Sequence, residues 1–250
     1  MTQQKTAINI TNYNDTNYEQ DFWADRIYEN LIESHYIQLL LDKSVDSLID
    51  VGGGFGRLIP IYESLVNKEM VLFDYSQKLL DSAIEKNSRN QKFKAVQGSF
   101  YEMPFPDRSF DGAISIRVIH HVEDVDTYFK EISRILKKDG IFILEYANKR
   151  NFLEIVRFYL HKSKLRPFNL KPENRSEKGL TFNFHPLYIA QMLDKYGLAV
   201  ETQIASSLLR SPFLKRKVGQ ERLAKIEEKL PVWLKKFAIS PSIFLKLRKI

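Results

Sequence analysis

The residues best placed to do chemistry lie in a glycine-rich stretch about fifty residues into the chain. Residues 48–57 read Leu-Ile-Asp-Val-Gly-Gly-Gly-Phe-Gly-Arg, which predicts a short buried strand, a tight turn and the start of a helix. Glycine can adopt positive φ and lets the backbone approach a ligand, and the N–H groups that open a helix carry partial positive charge. The turn therefore predicts a binding site for a nucleotide-like ligand or a carboxylate.

The spacing of the glycines narrows the choice of ligand. Counted from Gly52, the third glycine of the dinucleotide fingerprint G-x-G-x-x-G would stand at position 57, which is Arg57. The chain also has no Gly-Lys-Ser or Gly-Lys-Thr of a phosphate-binding loop. Asp50 ends the first strand, and a second apolar run, 70–73, ends at Asp74. A carboxylate in that position can accept both hydroxyls of a ribose.

Three later segments extend this pattern into a resemblance to the class I S-adenosylmethionine (SAM)-dependent methyltransferases. Residues 97–111 resemble that family's loop after strand 3, and residues 119–124 resemble the segment after strand 4. Residues 132–143 resemble a helix that turns into strand 5, so that the likeness covers residues 45–147 in the family's order. It implies SAM as cofactor, S-adenosylhomocysteine as its product, and transfer of a methyl group as the reaction.

The resemblance implies cofactor contacts at the strand ends. Asp50 orients the glycine turn or accepts from the amino end of SAM, Asp74 binds the ribose, and Tyr75 packs on the adenine. Ser99 stands where related proteins often have an aspartate that bonds the adenine amino group, so this one contact is weaker here. The other expected cofactor contacts are Gly52, Gly53, Gly54, Gly56, Phe100, Arg117, Tyr18, Trp23 and Arg26.

Some of these contacts belong to an N-terminal lid, residues 1–44. Apolar side chains recur at helical spacing over residues 20–41, and in the family such a helix often covers the cofactor. The candidate lid residues are then Tyr13, Tyr18, Trp23 and Arg26. Alternatively Trp23 is a core residue and Arg26 pairs with a nearby acid, and Arg117 is a solvent-facing strand end.

Methyl transfer needs a well-placed acceptor and, for a hydroxyl or ammonium, a general base. His120 and His185 are the candidate bases, with His120 facing the pocket and His121 packing beside it. In the alternative both histidines of the pair are structural and His185 only starts a helix. The expected acceptor contacts are Tyr13, His121, Glu145, Tyr146 and Phe184. The five histidines have no cluster of acids near them in the sequence, which argues against a metal site.

Alternating strands and helices predict an α/β fold: a Rossmann-like, doubly wound, mostly parallel seven-stranded sheet with helices on both faces. The first five strands are expected at 46–51, 69–74, 92–97, 111–116 and 140–147, and the sixth at 198–205. The seventh is expected near 206–210 or is missing. The domain would then span 45–210, with an acceptor lid at 149–185 and a basic, helical C-terminal extension at 211–250.

The charge is concentrated in that extension. The chain carries a net charge of +7, and residues 210–250 hold 12 Lys or Arg and 3 acids, so the rest is close to neutral. Basic and large apolar residues interleave there. This pattern is typical of a helical cap with a solvated basic face, or of a segment that contacts an anionic membrane surface or nucleic acid. Of the two kinds of contact, the membrane surface is favoured. The absence of cysteine and of a secretory signal in residues 1–20 is typical of a cytoplasmic protein.

We therefore expect a methyltransferase for a small, partly apolar acceptor. Two alternatives remain open at this point: an RNA methyltransferase that uses the basic tail, and a SAM-fold protein that binds without catalysis. A nicotinamide dehydrogenase is a distant third, because Arg57 breaks the dinucleotide fingerprint.

Overall fold

The computed structural model describes residues 23, 25–41, 43–175, 179–231 and 239–250. Within those ranges the chain forms an open seven-stranded sheet in the order β3-β2-β1-β4-β5-β9-β8. Its strands are β1 (Val45–Val51), β2 (Val66–Asp74), β3 (Phe93–Gln97), β4 (Phe110–Ser115), β5 (Leu136–Ala147), β8 (Leu198–Ser206) and β9 (Ser242–Lys249). A separate small ladder pairs β6 (Glu173–Asn174) with β7 (Phe182–Asn183). The predicted fold class is confirmed.

The helices cover both faces of this sheet. One face packs against α4 (Val125–Ile135) and α6 (Pro186–Lys195), and the other against α1 (Ile27–Leu40), α3 (Gln77–Asn87) and α8 (Gln220–Glu228). The inner parallel strands β1, β4 and β5 are buried along most of their length, as parallel strands between two helical layers require. The remaining helices are α2 (Ile59–Tyr62), α5 (Phe152–Tyr159) and α7 (Pro212–Val218), with 3₁₀ turns at Glu63–Leu65 and Ile119–His121.

The direction of strand order reverses next to β1. From β1 the chain moves outward through β2 to β3, and it then returns to the other side of β1 for β4 and β5, all in parallel. A crevice opens at such a reversal, outside the carboxyl ends of the strands, because the two flanking connections leave on opposite faces. The gap between the ends of β1 and β4 is thus the expected ligand site of this fold.

The seventh strand is not where the sequence placed it. Ser206 is the last residue of β8, and the chain then turns, so residues 206–210 do not add a strand. The strand is β9, which lies antiparallel between β5 and β8. The prediction that residues 211–250 are a helical extension outside the domain is therefore wrong for 242–249, although α7 and α8 are helical as expected.

The reason lies in the period of the C-terminal pattern. Ile243, Leu245 and Leu247 pack into the core on one face of the sheet, and Phe244 packs into the core on the other. Alternate side chains pointing to opposite faces are the signature of a strand. Lys246 and Arg248 alternate with Leu245 and Leu247. In so short a run, this mixture of basic and apolar residues also resembles a basic amphipathic helix.

Candidate functional site

A cleft, open in part to solvent, lies at the carboxyl ends of β1, β2 and β4. The cleft is lined by Trp23, Asp50, Gly52, Gly53, Gly54, Phe55, Arg57, Leu58, Phe73, Asp74, Tyr75, Leu79, Gly98, Phe100, Ile116, Arg117, Val118 and His121. Residues that are far apart in the sequence therefore meet at the strand-order reversal.

The glycine turn lies on one wall of the cleft, and its backbone conformation requires glycine. Gly52, Gly54 and Gly56 have φ of +73°, +57° and +74°, a region that side chains with a Cβ rarely enter. A Cβ on Gly53 would lie 2.2 Å from Leu72, so that residue needs glycine for space. At Gly54 a Cβ would meet only Leu79, at 3.7 Å, and the backbone there is open to a ligand.

Asp74 holds the turn from the end of β2. One oxygen of its carboxylate accepts a hydrogen bond from the Gly54 N–H at 2.9 Å, and the other accepts from the Ser76 N–H at 2.8 Å. Burial raises the pKa of Asp74, and the backbone N–H donors oppose that rise. An ionised carboxylate has about four lone-pair positions, so two bonds to the backbone leave capacity for two ligand hydroxyls.

Asp50 lies deeper, beneath the glycine turn. Its carboxylate accepts a hydrogen bond from the hydroxyl of Tyr62 at 3.0 Å, on α2. Burial raises the pKa of Asp50 to about 7, while the Tyr62 hydroxyl and Arg57 lower it. Asp50 thus lines the cleft and also joins β1 to α2.

A buried ion cluster joins α1 to two sides of the cleft. The carboxylate of Glu33 binds the guanidinium of Arg57, which follows the glycine turn, and that of Arg117, which follows β4, the latter at 2.6 Å. The guanidinium of Arg57 also lies 3.8 Å from the ring centre of Trp23, and it donates to Asn30 at 3.0 Å. Trp23 therefore lies on the wall of the cleft, while the lid role expected for residues 1–44 stays a prediction.

Arg117 lies in a strained loop. Its φ is +62°, and its N–H donates to the carboxylate of Glu145 at 3.0 Å. Such left-handed conformations in residues other than glycine cost free energy and concentrate at functional sites. Burial alone lowers the Arg117 pKa, but Glu33 and Glu145 outweigh it and raise the pKa, so the guanidinium stays charged inside the cleft.

The structure reverses the expected orientation of the adjacent histidines. His121 lines the cleft, whereas His120 is not among the lining residues. The Nδ1 of His121 lies 2.7 Å from the carbonyl oxygen of Leu180. Because a carbonyl only accepts, Nδ1 is the protonated nitrogen and Nε2 carries the lone pair in the neutral ring. Burial lowers the pKa of both histidines, and for His120 the neighbouring His121 and Arg117 lower it further.

Several other expected site residues lie away from the cleft. The carboxylate of Glu145 is buried and accepts from the Ser242 hydroxyl and the Arg117 N–H, so it supports the loop instead of facing an acceptor. His185 caps α6, its Nδ1 accepting from the Leu187 N–H at 3.1 Å. The remaining predicted residues that do not line the cleft are Tyr146, Phe184, Gly56, Ser99 and Arg26.

The reasons for these differences are local. Tyr146 and Phe184 are fully buried in the core beside α6, and the hydroxyl of Ser99 accepts from the Tyr101 N–H at 3.2 Å. Gly56 serves the turn, since a Cβ there would lie 2.6 Å from Ile59. Tyr13 and Tyr18 lie outside the described residues.

Sequence reasoning also missed residues that build the site. Glu33, Asn30 and Tyr62 were not expected to contribute, nor was the side chain of Arg57. The available signal was the position of Glu33 and Asn30 three residues apart on α1, on one side of a helix that is otherwise mainly apolar where it is buried. Among the described residues, no group of three or more His, Cys, Asp or Glu is arranged to hold a metal ion.

The fold and the site together define a class of protein. The strand order, the glycine turn after β1 and the acid at the end of β2 are those of a class I SAM-dependent methyltransferase, whose methyl donor is SAM. Residues 49–144 match the family model of the methyltransferase domain. The predicted family is confirmed.

Individual proteins agree with this assignment. An uncharacterised methyltransferase of Bacillus subtilis is 30% identical over 161 residues, which are 62% of this chain and 61% of that protein. A sterol 24-C-methyltransferase of Gibberella zeae is 45% identical over 98 residues, 38% of this chain and 26% of that enzyme. The matched part thus spans between a quarter and about three fifths of these relatives' length.

A solved structure extends the likeness to almost the whole fold. The SAM-dependent methyltransferase of Thermotoga maritima superposes with a TM-score of 0.65 over 95% of this chain and 98% of that one, at 18% identity. At that identity the likeness concerns the fold. No helix in the described part of the chain has the length and hydrophobicity to cross a membrane.

Proposed function

We propose that this protein transfers a methyl group from SAM to a small, partly apolar acceptor. The observation that carries the proposal is the cleft at the β1–β4 reversal, where positive-φ glycines and the Asp74 carboxylate lie on one wall. The cleft fits SAM on its own geometry: the backbone is open at Gly54, and Asp74 has spare acceptor capacity.

The two halves of the cleft suggest how SAM would be held. Asp74 would accept from the ribose hydroxyls, while Tyr75, Gly98 and Phe100 would enclose the adenine. Arg117 and Trp23 lie toward α1, where the methionine part would extend. SAM, when bound, supplies a methyl group on a sulfonium that is already a good leaving group.

The protein's own residues would then position the acceptor and, where needed, remove its proton. Holding the acceptor in line with the methyl group is the main source of acceleration. For a hydroxyl or ammonium acceptor, His121 would take the proton at Nε2, because Nδ1 is held by the Leu180 carbonyl. The lowered pKa of His121 keeps the ring neutral and able to accept at neutral pH.

An apolar acceptor is favoured by the walls of the cleft. Phe55, Leu58, Ile116 and Val118 line it beside the charged groups. The similarity to a sterol 24-C-methyltransferase, an enzyme named for an apolar substrate, supports the same choice. Charged residues are prominent around Glu33 instead, where they are paired with one another.

The test is transfer of labelled methyl groups from SAM to three panels: apolar small molecules that carry a hydroxyl or amine, strongly polar small molecules, and total RNA. We expect label in the first panel and a loss of about 10²-fold in the His121→Ala variant for a hydroxyl or amine acceptor. Label in RNA, or in none of the panels despite SAM binding, would contradict the proposal.

A further inference from the structure

The solvent-facing side of α5 is apolar, the reverse of the usual arrangement in a surface helix. Five large side chains are exposed at the spacing i, i+1, i+4, i+7 and i+8, which places them on one face of the helix and its last turn. They are Phe152 (59% exposed), Leu153 (53%), Val156 (38%), Tyr159 (67%) and Leu160 (56%). The polar side chains of Asn151 and Glu154 are buried instead.

The loop after α5 enlarges this apolar face. Phe168 and Leu170 are 49% and 38% exposed. The ring of Phe168 lies 6.2 Å from that of Tyr159 and 6.1 Å from that of Phe158, so helix and loop form one continuous patch. We call the seven exposed residues the α5 surface: Phe152, Leu153, Val156, Tyr159, Leu160, Phe168 and Leu170. Contiguous patches of this kind mark interaction sites.

The α5 surface is surrounded by positive charge. Seven exposed cations lie between residues 150 and 175, namely Arg150, Arg157, Lys162, Lys164, Arg166, Lys171 and Arg175. The two acids in this stretch are engaged in ion pairs: Glu154 with Arg157 at 2.6 Å and with Arg175 at 3.8 Å, and Glu173 with Lys149 at 3.4 Å. Five of the cations also line a wide open cavity beside α5. The patch therefore combines an apolar centre with a strongly basic rim.

We propose that the α5 surface docks the protein onto an anionic membrane surface. Apolar side chains in a basic rim bind such surfaces because the former enter the interface while the latter meet anionic headgroups. The charge favours a lipid surface over an uncharged apolar partner. This proposal does not depend on methyl transfer, and it places membrane contact at α5 instead of the C-terminal extension.

The position of the α5 surface indicates what membrane docking would do for the protein. β5 ends at Ala147 and α5 starts at Phe152, so the surface lies at the carboxyl edge of the sheet, the same edge as the cleft. A protein docked through α5 would bring that edge toward the lipid. An apolar acceptor dissolved in the membrane would then have a short path to the site.

The experiment measures co-sedimentation of the full chain with phosphatidylcholine vesicles and with vesicles that contain equal parts of phosphatidylcholine and phosphatidylglycerol. Two variants test the surface: Phe152→Ser with Tyr159→Ser for its apolar part, and Lys162→Glu with Arg166→Glu for its rim. Two controls carry matched changes at exposed positions on α3, on α8 and directly after α8: Ile84→Ser with Ile226→Ser, and Lys225→Glu with Lys229→Glu. Thermal unfolding confirms that each variant is folded.

We expect binding only to the anionic vesicles, weakened about tenfold or more by each α5 variant and unchanged in both controls. Three results would overturn the proposal. These are no sedimentation with anionic vesicles, equal binding to both vesicle types, and a loss in the Lys225→Glu, Lys229→Glu control as large as in the α5 variants. A stable dimer by light scattering that the Phe152→Ser, Tyr159→Ser variant dissociates, with no vesicle binding, would also overturn it and assign the surface to a second copy.

Discussion

Asp50 is the residue whose ionisation should be visible in the stability of the protein. Its pKa in the folded state is about 7, above the ordinary value of 3.8, so the folded protein holds this proton more tightly than the unfolded chain. Stability is then lost as the pH rises from about 4 to about 7. Asp50→Asn keeps an oxygen that can accept from Tyr62 and removes the titration.

For the unsubstituted protein and the Asp50→Asn variant we predict equal free energies of unfolding near pH 4, and a more stable variant near pH 8. The raised pKa of Asp50 corresponds to a difference in the free energy of unfolding of about 4 kcal/mol, as an upper bound. Urea unfolding of both proteins from pH 4 to pH 8 measures the difference. A difference that does not change with pH would show that Asp50 is not a raised, buried carboxyl.

The adjacent histidines make a second residue-scale prediction. His121 lines the cleft and His120 does not, although their ring centres are only 4.1 Å apart. For a hydroxyl or amine acceptor, His121→Ala should lower kcat by about 10²-fold with little change in SAM affinity. His120→Ala is the matched control and should retain most of the activity. The reverse result would restore His120 as the base.

At the scale of a whole element, helix α1 is joined to both sides of the cleft by one side chain, that of Glu33. Glu33 is buried and binds the two arginines that flank the cleft, so its loss leaves two cations in a poorly solvated place. Breaking a buried ion pair from one side typically costs about 3–5 kcal/mol. We therefore expect Glu33→Gln to lower the free energy of unfolding by about 3 kcal/mol and to speed SAM release.

The control for this prediction is Glu85→Gln, which neutralises an exposed carboxylate on α3. Denaturant unfolding and stopped-flow release of SAM measure the two effects. Unchanged stability in Glu33→Gln would mean that α1 is not held by this cluster.

At the element scale, the features that depend on local sequence pattern could be predicted from the sequence. The strand–turn–helix at Asp50 and the acid at Asp74 could be placed because glycine conformation and strand ends are local properties. The roles of Glu145 and His185 could not be, because hydrogen bonds across β9 and within the cap of α6 decide which way those side chains face. Glu33 was missed because its partners are 24 and 84 residues away.

For the whole molecule, the main consequence is that the C-terminal residues complete the central sheet. β9 lies between β5 and β8, and Phe244 is fully buried between the sheet and α1, where its ring lies 5.6 Å from that of Tyr36. Sequence pattern alone did not reveal this, since a short run that mixes apolar and basic residues is compatible with both periods. Pairing with a distant strand decided between them.

This arrangement predicts a large cost for a change near the end of the chain. Phe244→Ala should lower the free energy of unfolding by about 3–5 kcal/mol, the usual cost of removing a buried phenylalanine. Phe213→Ala, at an exposed position on α7, is the matched control and should change it by less than about 0.5 kcal/mol. Chemical denaturation distinguishes them, and equally small effects would contradict an inner β9.

The measurement that tests the central claim most directly is calorimetric titration of the protein with SAM, S-adenosylhomocysteine and NAD. We predict micromolar binding of the two sulfur compounds and none of NAD. Asp74→Ala should weaken SAM binding by about 1–3 kcal/mol, because the ribose loses a charged acceptor, whereas Asp81→Ala, an exposed acid on α3, should not. Binding of NAD, no binding of either sulfur compound, or unchanged affinity in Asp74→Ala would contradict the assignment of the cleft to SAM.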